Sequence, residues 1–205
     1  RMLAVDEDGV VVDGDVIMAI IADHMKRNGE LKKNTLVVTV MSNLGLDIFA
    51  SENDISLAKT KVGDRYVLEE MAANGYSIGG EQSGHIILLD NATTGDGMLS
   101  ALKLLQVLKD SSKPIKDMKC IMNVLPQVLK GIKVSNGSKE EVIKDPVICA
   151  KCSEIETELA GRGRVLVRAS GTEPLIRVML EGEDISRITQ MCDSIISLIS
   201  SKYSA

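Results

Sequence analysis

The spacing of apolar residues changes repeatedly along this chain, and each change predicts a different element of secondary structure. Between positions 13 and 28 the apolar residues follow the 3.6-residue period of a helix, whereas residues 36–40 form the continuous run typical of a buried strand. Asp13 is predicted to cap the first helix, Ser42 a short second one, and Asp96 is interpreted as a further cap. The predicted strands are 2–5, 10–12, 36–40, 55–62 and 86–89, and the predicted helices are 13–28, 42–49, 64–74 and 98–109. Alternating strands and helices indicate an α/β sandwich.

The pattern changes after a short linker predicted at residues 111–114. The strands predicted beyond it are 128–134, 165–168 and 175–180, and the helices are 145–160 and 184–202. Asp145 followed by Pro146 is typical of a helix start, and Asp184 is predicted to cap the last helix. The order strand, helix, two strands, helix predicts a small α+β domain whose helices cover one face of an antiparallel sheet.

Composition narrows the class of function. The net charge is −5 and the chain holds one Phe, three Tyr and no Trp, which argues against a nucleic-acid surface. No apolar run approaches the ~20 residues of a membrane span, and no signal-peptide pattern is present, so a cytoplasmic location is expected. Zinc at Cys149-x-x-Cys152 would need about two more ligands. The only histidines are His24 and His85, so the four cysteines are interpreted as reduced, structural thiols.

Two short loops carry the candidate chemistry, and the first, the Glu81 loop, comprises residues 79–85 (GGEQSGH). Glu81, Ser83 and His85 stand at alternate positions, so in an extended backbone they would share one face. A carboxylate, a hydroxyl and an imidazole suit the hydroxyl groups of a sugar. A polar hairpin turn is the alternative interpretation.

The second loop, the Arg168 loop, comprises residues 168–174 (RASGTEP) between the last two predicted strands. Ser170 and Thr172 supply hydroxyl donors, and Gly171 permits a backbone whose N–H groups converge on an oxyanion. Arg168 can bind a phosphate through two hydrogen bonds, and Arg177 either adds a second charge or pairs with a nearby glutamate. The pattern predicts an anion site, with a polar hairpin bearing surface arginines as the alternative. Together the two loops predict a sugar phosphate as ligand.

GEQSGH and RASGTEP resemble the sugar-binding and phosphate-binding signatures of the α-D-phosphohexomutase superfamily. Residues 39–45 (TVMSNLG), 62–67 (VGDRYV) and 93–97 (TTGDG) resemble its bacterial phosphoglucosamine mutase branch in particular. The resemblance implies a three-layer α/β/α domain at 11–112 and a small α+β domain, similar to the TATA-box-binding protein, at 113–205. Residues 1–10 would be the last strand of a truncated preceding domain.

The resemblance also implies a reaction and assigns roles. In this family a phosphoserine and Mg²⁺ interconvert hexose 6- and 1-phosphates through a 1,6-bisphosphate, for this branch those of glucosamine. Arg1 would end the family's metal loop, so the metal ligands and the phosphoserine are expected in N-terminal domains outside this chain, which alone would be inactive. The implied sugar-binding residues are Glu81, Ser83, His85 and Arg65, and the implied phosphate-binding residues are Arg168, Ser170, Gly171, Thr172 and Arg177. The expected partners are the sugar phosphate, the missing domains and, for the full protein, a second copy in a homodimer.

Three alternatives stay open at this point. The substrate could be a mannose or glucose phosphate, since Asn43, Arg65 and Gln82 favour glucosamine by resemblance alone. The chain could instead be a non-catalytic sugar-phosphate binding module, or a structural partner that keeps only the fold. Measured phosphoryl transfer, or measured binding of a hexose phosphate, discriminates among them.

Overall fold

The computed structural model describes residues 1–135, 137–170 and 173–203, which form two compact units. The first unit is Arg1–Val124 and the second is Leu125–Ala205. Residues 113–124 therefore belong with the first unit, although the sequence placed them in the second domain. Ile115 and Met122 anchor this segment in the first core, and Lys119 forms an ion pair with Asp6.

The first unit is built around a four-stranded mixed sheet. Its strands lie in the order β4-β3-β5-β6, with β3 parallel to β4 and β5 and with β6 antiparallel to β5. A separate two-stranded ladder pairs β1 with β2. The elements are β1 Ala4–Val5, β2 Val11–Val12, α1 Gly14–Arg27, β3 Thr35–Thr39, α2 Leu44–Glu52, β4 Ser56–Thr60, α3 Asp64–Asn74, β5 Ile78–Gly80, β6 Ile86–Leu88, α4 Gly97–Ser111 and α5 Ile115–Met118.

Both faces of this sheet are covered, which confirms three layers. On β3, Leu36 and Val38 pack into the core shared with α1, α2 and α4, whereas Val37 points to the opposite face. There it joins Val67 and Met71 of α3. Burial on both faces explains the continuous apolar run of this strand.

The second unit is a three-stranded antiparallel sheet with helices on one face, as expected. The strand order is β7-β9-β8. Ile176, Val178 and Leu180 of β9 point toward the helices and pack with Ile148 and Ile195. The elements are β7 Gln127–Lys133, α6 Lys139–Lys144, α7 Pro146–Leu159, β8 Gly163–Ala169, β9 Leu175–Gly182 and α8 Ile185–Tyr203. The alternate residues of β8 and β9, including Arg164, Arg168 and Arg177, lie on the other face of the sheet.

Several predicted helix starts are confirmed and one is wrong. The side chains of Asp13, Asp96 and Asp145 accept hydrogen bonds from the first turns of α1, α4 and α7. Ser42 does not cap α2: the cap is Asn43, whose Oδ1 accepts from the Gly45 N–H at 2.9 Å. Ser42 lies one residue earlier, in the turn that closes β3. Among the described residues, no helix is both long and apolar enough to cross a membrane.

Candidate functional site

The Glu81 loop is a tight hairpin turn between β5 and β6, so the expectation of an extended backbone with alternating side chains is wrong. The N–H of Glu81 donates to the carbonyl of His85 at 2.9 Å, and the N–H of Gly84 donates to the carbonyl of Glu81 at 3.0 Å. Gly84 has a φ of 84°, which favours glycine. The alternation rule fails because these two hydrogen bonds fold the chain back within five residues.

The carboxylate of Glu81 is nevertheless held in a defined position. Its Oε1 accepts from the N–H of Gly63 at 2.9 Å, and the hydroxyl of Ser83 lies 3.5 Å from Oε2. Gly63 precedes the first turn of α3, where N–H groups and the helix dipole favour a negative charge. Glu81 is half-buried and Ser83 is exposed. The turn therefore presents a carboxylate held by Gly63 beside an exposed serine hydroxyl that donates to it.

The ring of His85 also lies at the N-terminal end of helix α3. Its Nε2 is 3.6 Å from the Oδ2 of Asp64, and a Cβ at Gly95 would stand 2.3 Å from that nitrogen, so a side chain at position 95 would displace the ring. These residues line a cavity of about 230 Å³ together with Arg65. The side chain of Arg65 is 81% exposed and its Nε donates to Glu69 at 2.6 Å, a contact that raises the pKa of Arg65. The structure thus brings Glu81, Ser83, His85 and Arg65 to one end of α3.

Helix α1 supports the turn from behind, a contact that the sequence did not predict. The N–H of Gly14 donates to the carbonyl of Gln82 at 2.9 Å, and the Gln82 amide donates to the carboxylate of Asp13 at 3.2 Å. A Cβ at Gly14 would lie 2.2 Å from the Glu81 carbonyl oxygen. Gly14 is therefore a steric requirement of the Glu81 loop. A capping Asp followed by Gly carries no signal for such a contact.

A second residue missed by sequence reasoning is Lys61. It is exposed, and its ammonium lies 6.0 Å from the ring centroid of Tyr66. It stands two residues before Gly63, whose N–H holds Glu81. Lys61 thus adds an exposed cation to the segment that anchors the loop carboxylate. In the sequence, Lys61 is only a lysine shortly before a glycine, a pattern that is common in surface turns.

In the second unit, two arginines face each other across neighbouring strands at the Arg168 loop. Arg168 of β8 pairs in register with Arg177 of β9. The Nε of Arg168 is buried and has no hydrogen-bond partner in the described part of the chain. Burial, and then the charge of Arg177, lowers the pKa of Arg168. Like charges directly opposite each other are destabilising, and a buried donor without a partner costs free energy. Both costs fall when an anion binds.

Arg177 has a carboxylate partner of its own. One terminal guanidinium nitrogen lies 3.1 Å from the Glu173 carboxylate, and both side chains are partly exposed. Of the two alternatives for this arginine, the ion pair is the one that the structure shows. Because an exposed pair of this kind is weak, Arg177 can still turn toward a bound anion.

Ser170 directly follows strand β8 and is held by two contacts of its backbone. Its N–H donates to the carbonyl of Leu175 at 2.8 Å, and its carbonyl accepts from the ammonium of Lys139 at 2.8 Å. Two further predicted phosphate-binding residues, Gly171 and Thr172, lie outside the described residues. What the structure assembles here is Arg168, Ser170 and Arg177 at one end of the sheet.

Arg164 differs from Arg168 although both lie on the same face of β8. Its Nε donates at 2.6 Å to Glu181, whose side chain is fully buried and also accepts from the Gln127 amide at 2.8 Å. The charge of Arg164 is therefore matched inside the protein.

Across 1–135, 137–170 and 173–203 there is no group of three or more His, Cys, Asp or Glu side chains able to hold a metal ion. The Mg²⁺ implied by the family resemblance thus has no ligand set in this part of the chain. Cys149 is exposed, and burial raises the pKa of the Cys152 thiol to about 11, so the Cys-x-x-Cys segment carries no reactive thiolate at Cys152.

Curated proteins similar to this chain match it over its whole length. Curated relatives include the phosphoglucosamine mutases of Caldicellulosiruptor saccharolyticus, 57% identical over 204 residues, and of Ruminiclostridium cellulolyticum, 55% identical over 204 residues. Each match covers 100% of this chain but 45% of the relative, so the chain spans about half the length of these relatives.

Solved structures show the same fold. Aspergillus fumigatus N-acetylphosphoglucosamine mutase superposes with a TM-score of 0.80 at 19% identity, over 99% of this chain and 46% of the other. A second structure of that enzyme, in complex with GlcNAc-6P and magnesium, gives a TM-score of 0.78 at 21% identity, over 97% and 46%.

Family models match both units. The α/β/α domain III of phosphoglucomutase/phosphomannomutase matches residues 13–124, which end where the first compact unit ends. The C-terminal domain of the same family matches residues 129–198. The chain therefore belongs to the phosphoglucomutase/phosphomannomutase family, of which it carries the third and the C-terminal domains.

Proposed function

We propose that this chain is the substrate-binding half of a phosphoglucosamine mutase. In the complete enzyme, a phosphoserine outside this chain transfers its phosphoryl group to the 1-hydroxyl of glucosamine 6-phosphate, and the resulting 1,6-bisphosphate returns its 6-phosphoryl group to the serine. The product is glucosamine 1-phosphate and the phosphoserine is regenerated. Relatives with 55–57% identity over the whole chain carry this name, which favours this branch over the mannose and glucose phosphate mutases.

The observation that carries the proposal is the Arg168 guanidinium. Arg168 lies on the sheet face opposite the helices, and its register partner is another cation, Arg177. Its Nε is buried and has no hydrogen-bond partner in the described chain. A phosphate bound there supplies the missing acceptor and neutralises the repulsion from Arg177. Ser170 adds a hydroxyl at the same strand end. Binding energy at this remote phosphate holds the reacting end of the sugar in position for transfer.

The Glu81 loop is proposed to hold the sugar. Glu81 accepts hydrogen bonds from sugar hydroxyls while Gly63 fixes its other oxygen, and Ser83 donates or accepts at the exposed tip. His85 and Arg65 line the adjoining cavity and limit the orientation of the ring. The amide of Gln82 and the buried Asn43 are further positions that favour glucosamine by family resemblance.

Other properties of the full protein belong to the same proposal. A protein of this fold has been solved with GlcNAc-6P and magnesium, and another structure of it with glucose 1,6-bisphosphate, which supports Mg²⁺ and a bisphosphate as cofactor and intermediate. We assign no step to the metal, since the described residues offer it no ligand set. Four free thiols fit a reducing, cytoplasmic setting. A homodimer of the full protein remains part of the proposal.

The substrate is tested in the full-length protein that contains this chain. Phosphorus NMR follows interconversion of the 6- and 1-phosphates of glucosamine, mannose and glucose, each primed with its 1,6-bisphosphate in the presence of Mg²⁺. We expect kcat/KM to be highest for glucosamine. A preference for mannose or glucose phosphate would reassign the branch. Binding without turnover of any of the three would leave a non-catalytic module.

The phosphate assignment is tested with Arg168→Ala in the same protein. A hydrogen bond to a charged group contributes about 1.5–3 kcal/mol, so kcat/KM should fall by about tenfold or more for both the 6- and the 1-phosphate substrate. The matched control is Arg162→Ala, because Arg162 is 68% exposed and its nearest carboxylate is Glu183 at 3.7 Å. Equal losses in the two variants would indicate a diffuse positive field, and the assignment would be withdrawn.

A further inference from the structure

A lysine from a neighbouring helix is tied to the Arg168 loop. The ammonium of Lys139 donates to the backbone carbonyl of Ser170 at 2.8 Å, across a separation of 31 residues in sequence. Within the described ranges no carboxylate lies within ion-pair distance of this ammonium. Its ammonium is therefore directed at the loop carbonyl, and the side chains of Glu140 and Glu141 line the same cavity without forming an ion pair to it.

Helix α6 fixes the direction of this lysine. The side chain of Val142 is fully buried in the core of the second unit, and Lys139 precedes it by three residues at the start of the helix. Residues three apart lie on the same face of a helix. Burial of Val142 therefore turns Lys139 toward the end of the sheet, where it lines a cavity of about 480 Å³ with Ala169 and Pro174.

Ser170 is held from two sides as a result. Strand β9 binds its N–H through the carbonyl of Leu175 at 2.8 Å, and Lys139 binds its carbonyl. The residue is only 4% exposed. Arg168, two residues earlier, has neither a carboxylate opposite it nor a partner for its Nε among the residues described. The contact from Lys139 thus fixes the backbone where the anion site begins.

We propose that Lys139 is a positioning residue for the phosphate, an inference that rests on the proposed function of the Arg168 loop. Its hydrogen bond holds the Ser170 carbonyl in one position in the free protein, so that less freedom is lost when a phosphate binds. Its charge adds to the field of the two arginines without touching the anion. Removing the ammonium should weaken binding of the substrate phosphate while leaving the transfer chemistry unchanged.

The test compares three lysine variants in the full-length protein. Lys139→Met removes the charge and keeps an unbranched side chain, Lys139→Arg restores a donor of similar reach, and Lys144→Met is the control. Lys144 lies at the other end of α6 and is exposed, with Glu140 as a neighbour at 3.8 Å. Steady-state kinetics with glucosamine 6-phosphate and the urea midpoint of unfolding are measured for each variant, alongside Arg168→Ala.

We expect Lys139→Met to raise KM about five- to tenfold with kcat changed less than twofold. This is the pattern for loss of an interaction that stabilises the bound substrate and the transition state equally. Lys139→Arg should return KM to within twofold, and Lys144→Met should match the unmodified protein. A KM change below twofold in Lys139→Met, while Arg168→Ala loses activity, overturns this inference and leaves the proposed function intact. The inference is also overturned if Lys139→Met and Lys144→Met raise KM equally. The same holds if KM rises in Lys139→Met only in proportion to a lowered urea midpoint of unfolding. No loss in Arg168→Ala removes the phosphate site and this inference with it.

Discussion

Removal of the Arg164 guanidinium should strongly destabilise the second unit, although Arg164 is remote from the candidate ligand. Its partner Glu181 is fully buried, and the two charged groups meet at 2.6 Å. Replacing Arg164 by Met keeps most of the apolar stem but leaves a buried carboxylate whose strongest counter-charge is gone. Removing one partner of a buried pair typically costs about 3–5 kcal/mol.

A hydrogen bond that remains in the variant limits this loss. The Gln127 amide, which donates to Glu181 at 2.8 Å in the unmodified chain, still contacts the carboxylate after the arginine is removed. We therefore expect a loss at the lower end of this range, about 3 kcal/mol at pH 7.

Urea unfolding of the 205-residue chain, followed by circular dichroism, measures this loss. The control is Arg162→Met, whose exposed pair with Glu183 is worth about 0–1 kcal/mol. The double variant Arg164→Met with Glu181→Gln removes both charges and should recover most of the stability, which keeps the experiment informative if the single variant does not fold. A loss below about 1 kcal/mol in Arg164→Met would refute the reasoning, because it would mean that Glu181 is hydrated or fully satisfied without the arginine.

Three further outcomes are expected. Gly14→Ala should lower the urea midpoint and the affinity for sugar phosphate, because the new Cβ would lie 2.2 Å from the Glu81 carbonyl oxygen. Gly131→Ala should change neither, because its new Cβ would lie 3.8 Å from the nearest atom, the Leu175 Cδ1. The Lys202 ammonium, and then the Tyr203 hydroxyl, hold the pKa of Asp145 well below its usual range, so this contribution to stability is present above about pH 4 and is lost as pH falls below it. Urea midpoints between pH 5 and pH 2 should therefore drop more steeply in the unmodified chain than in Asp145→Asn. The 205-residue chain alone should not interconvert glucosamine phosphates, and phosphorus NMR showing turnover above blank would contradict this.

Local chemistry explains which parts of the fold were predictable. Helix α3 runs Asp64–Asn74 and ends at Gly75 with a φ of 69°, as predicted, because an acidic first turn and a C-terminal glycine are determined within a few residues. Strand β5, Ile78–Gly80, was missed, since two glycines give it little strand propensity and only pairing with its neighbours makes it a strand. That pairing also turns the Glu81 loop, so its side-chain geometry could not follow from alternation.

The sequence could name candidate site residues but not the contacts that hold them. The two signatures pointed to Glu81, His85 and Arg168 because each is an unusual local combination of Gly, Ser, Glu and Arg, and their roles stay a prediction. The contacts that fix them join residues far apart, such as Gly63 with Glu81 and Lys139 with Ser170. No periodicity in the chain encodes such pairs, which depend on how the elements pack.

The sheet face opposite the helices of the second unit shows why residue type and strand parity alone could not separate Arg164 from Arg168. Both arginines lie on one face of β8, yet their register partners on β9 are Glu181 and Arg177 respectively. The first pairing satisfies a buried charge within the protein. The second places like charges opposite each other and leaves a buried donor without a partner in the described chain, a cost that a bound dianion removes. Between them, Leu166 faces the buried Met179, which keeps the two charged ends apart on an apolar surface. One end of the strand therefore stabilises the fold, and the other end carries the proposed phosphate site.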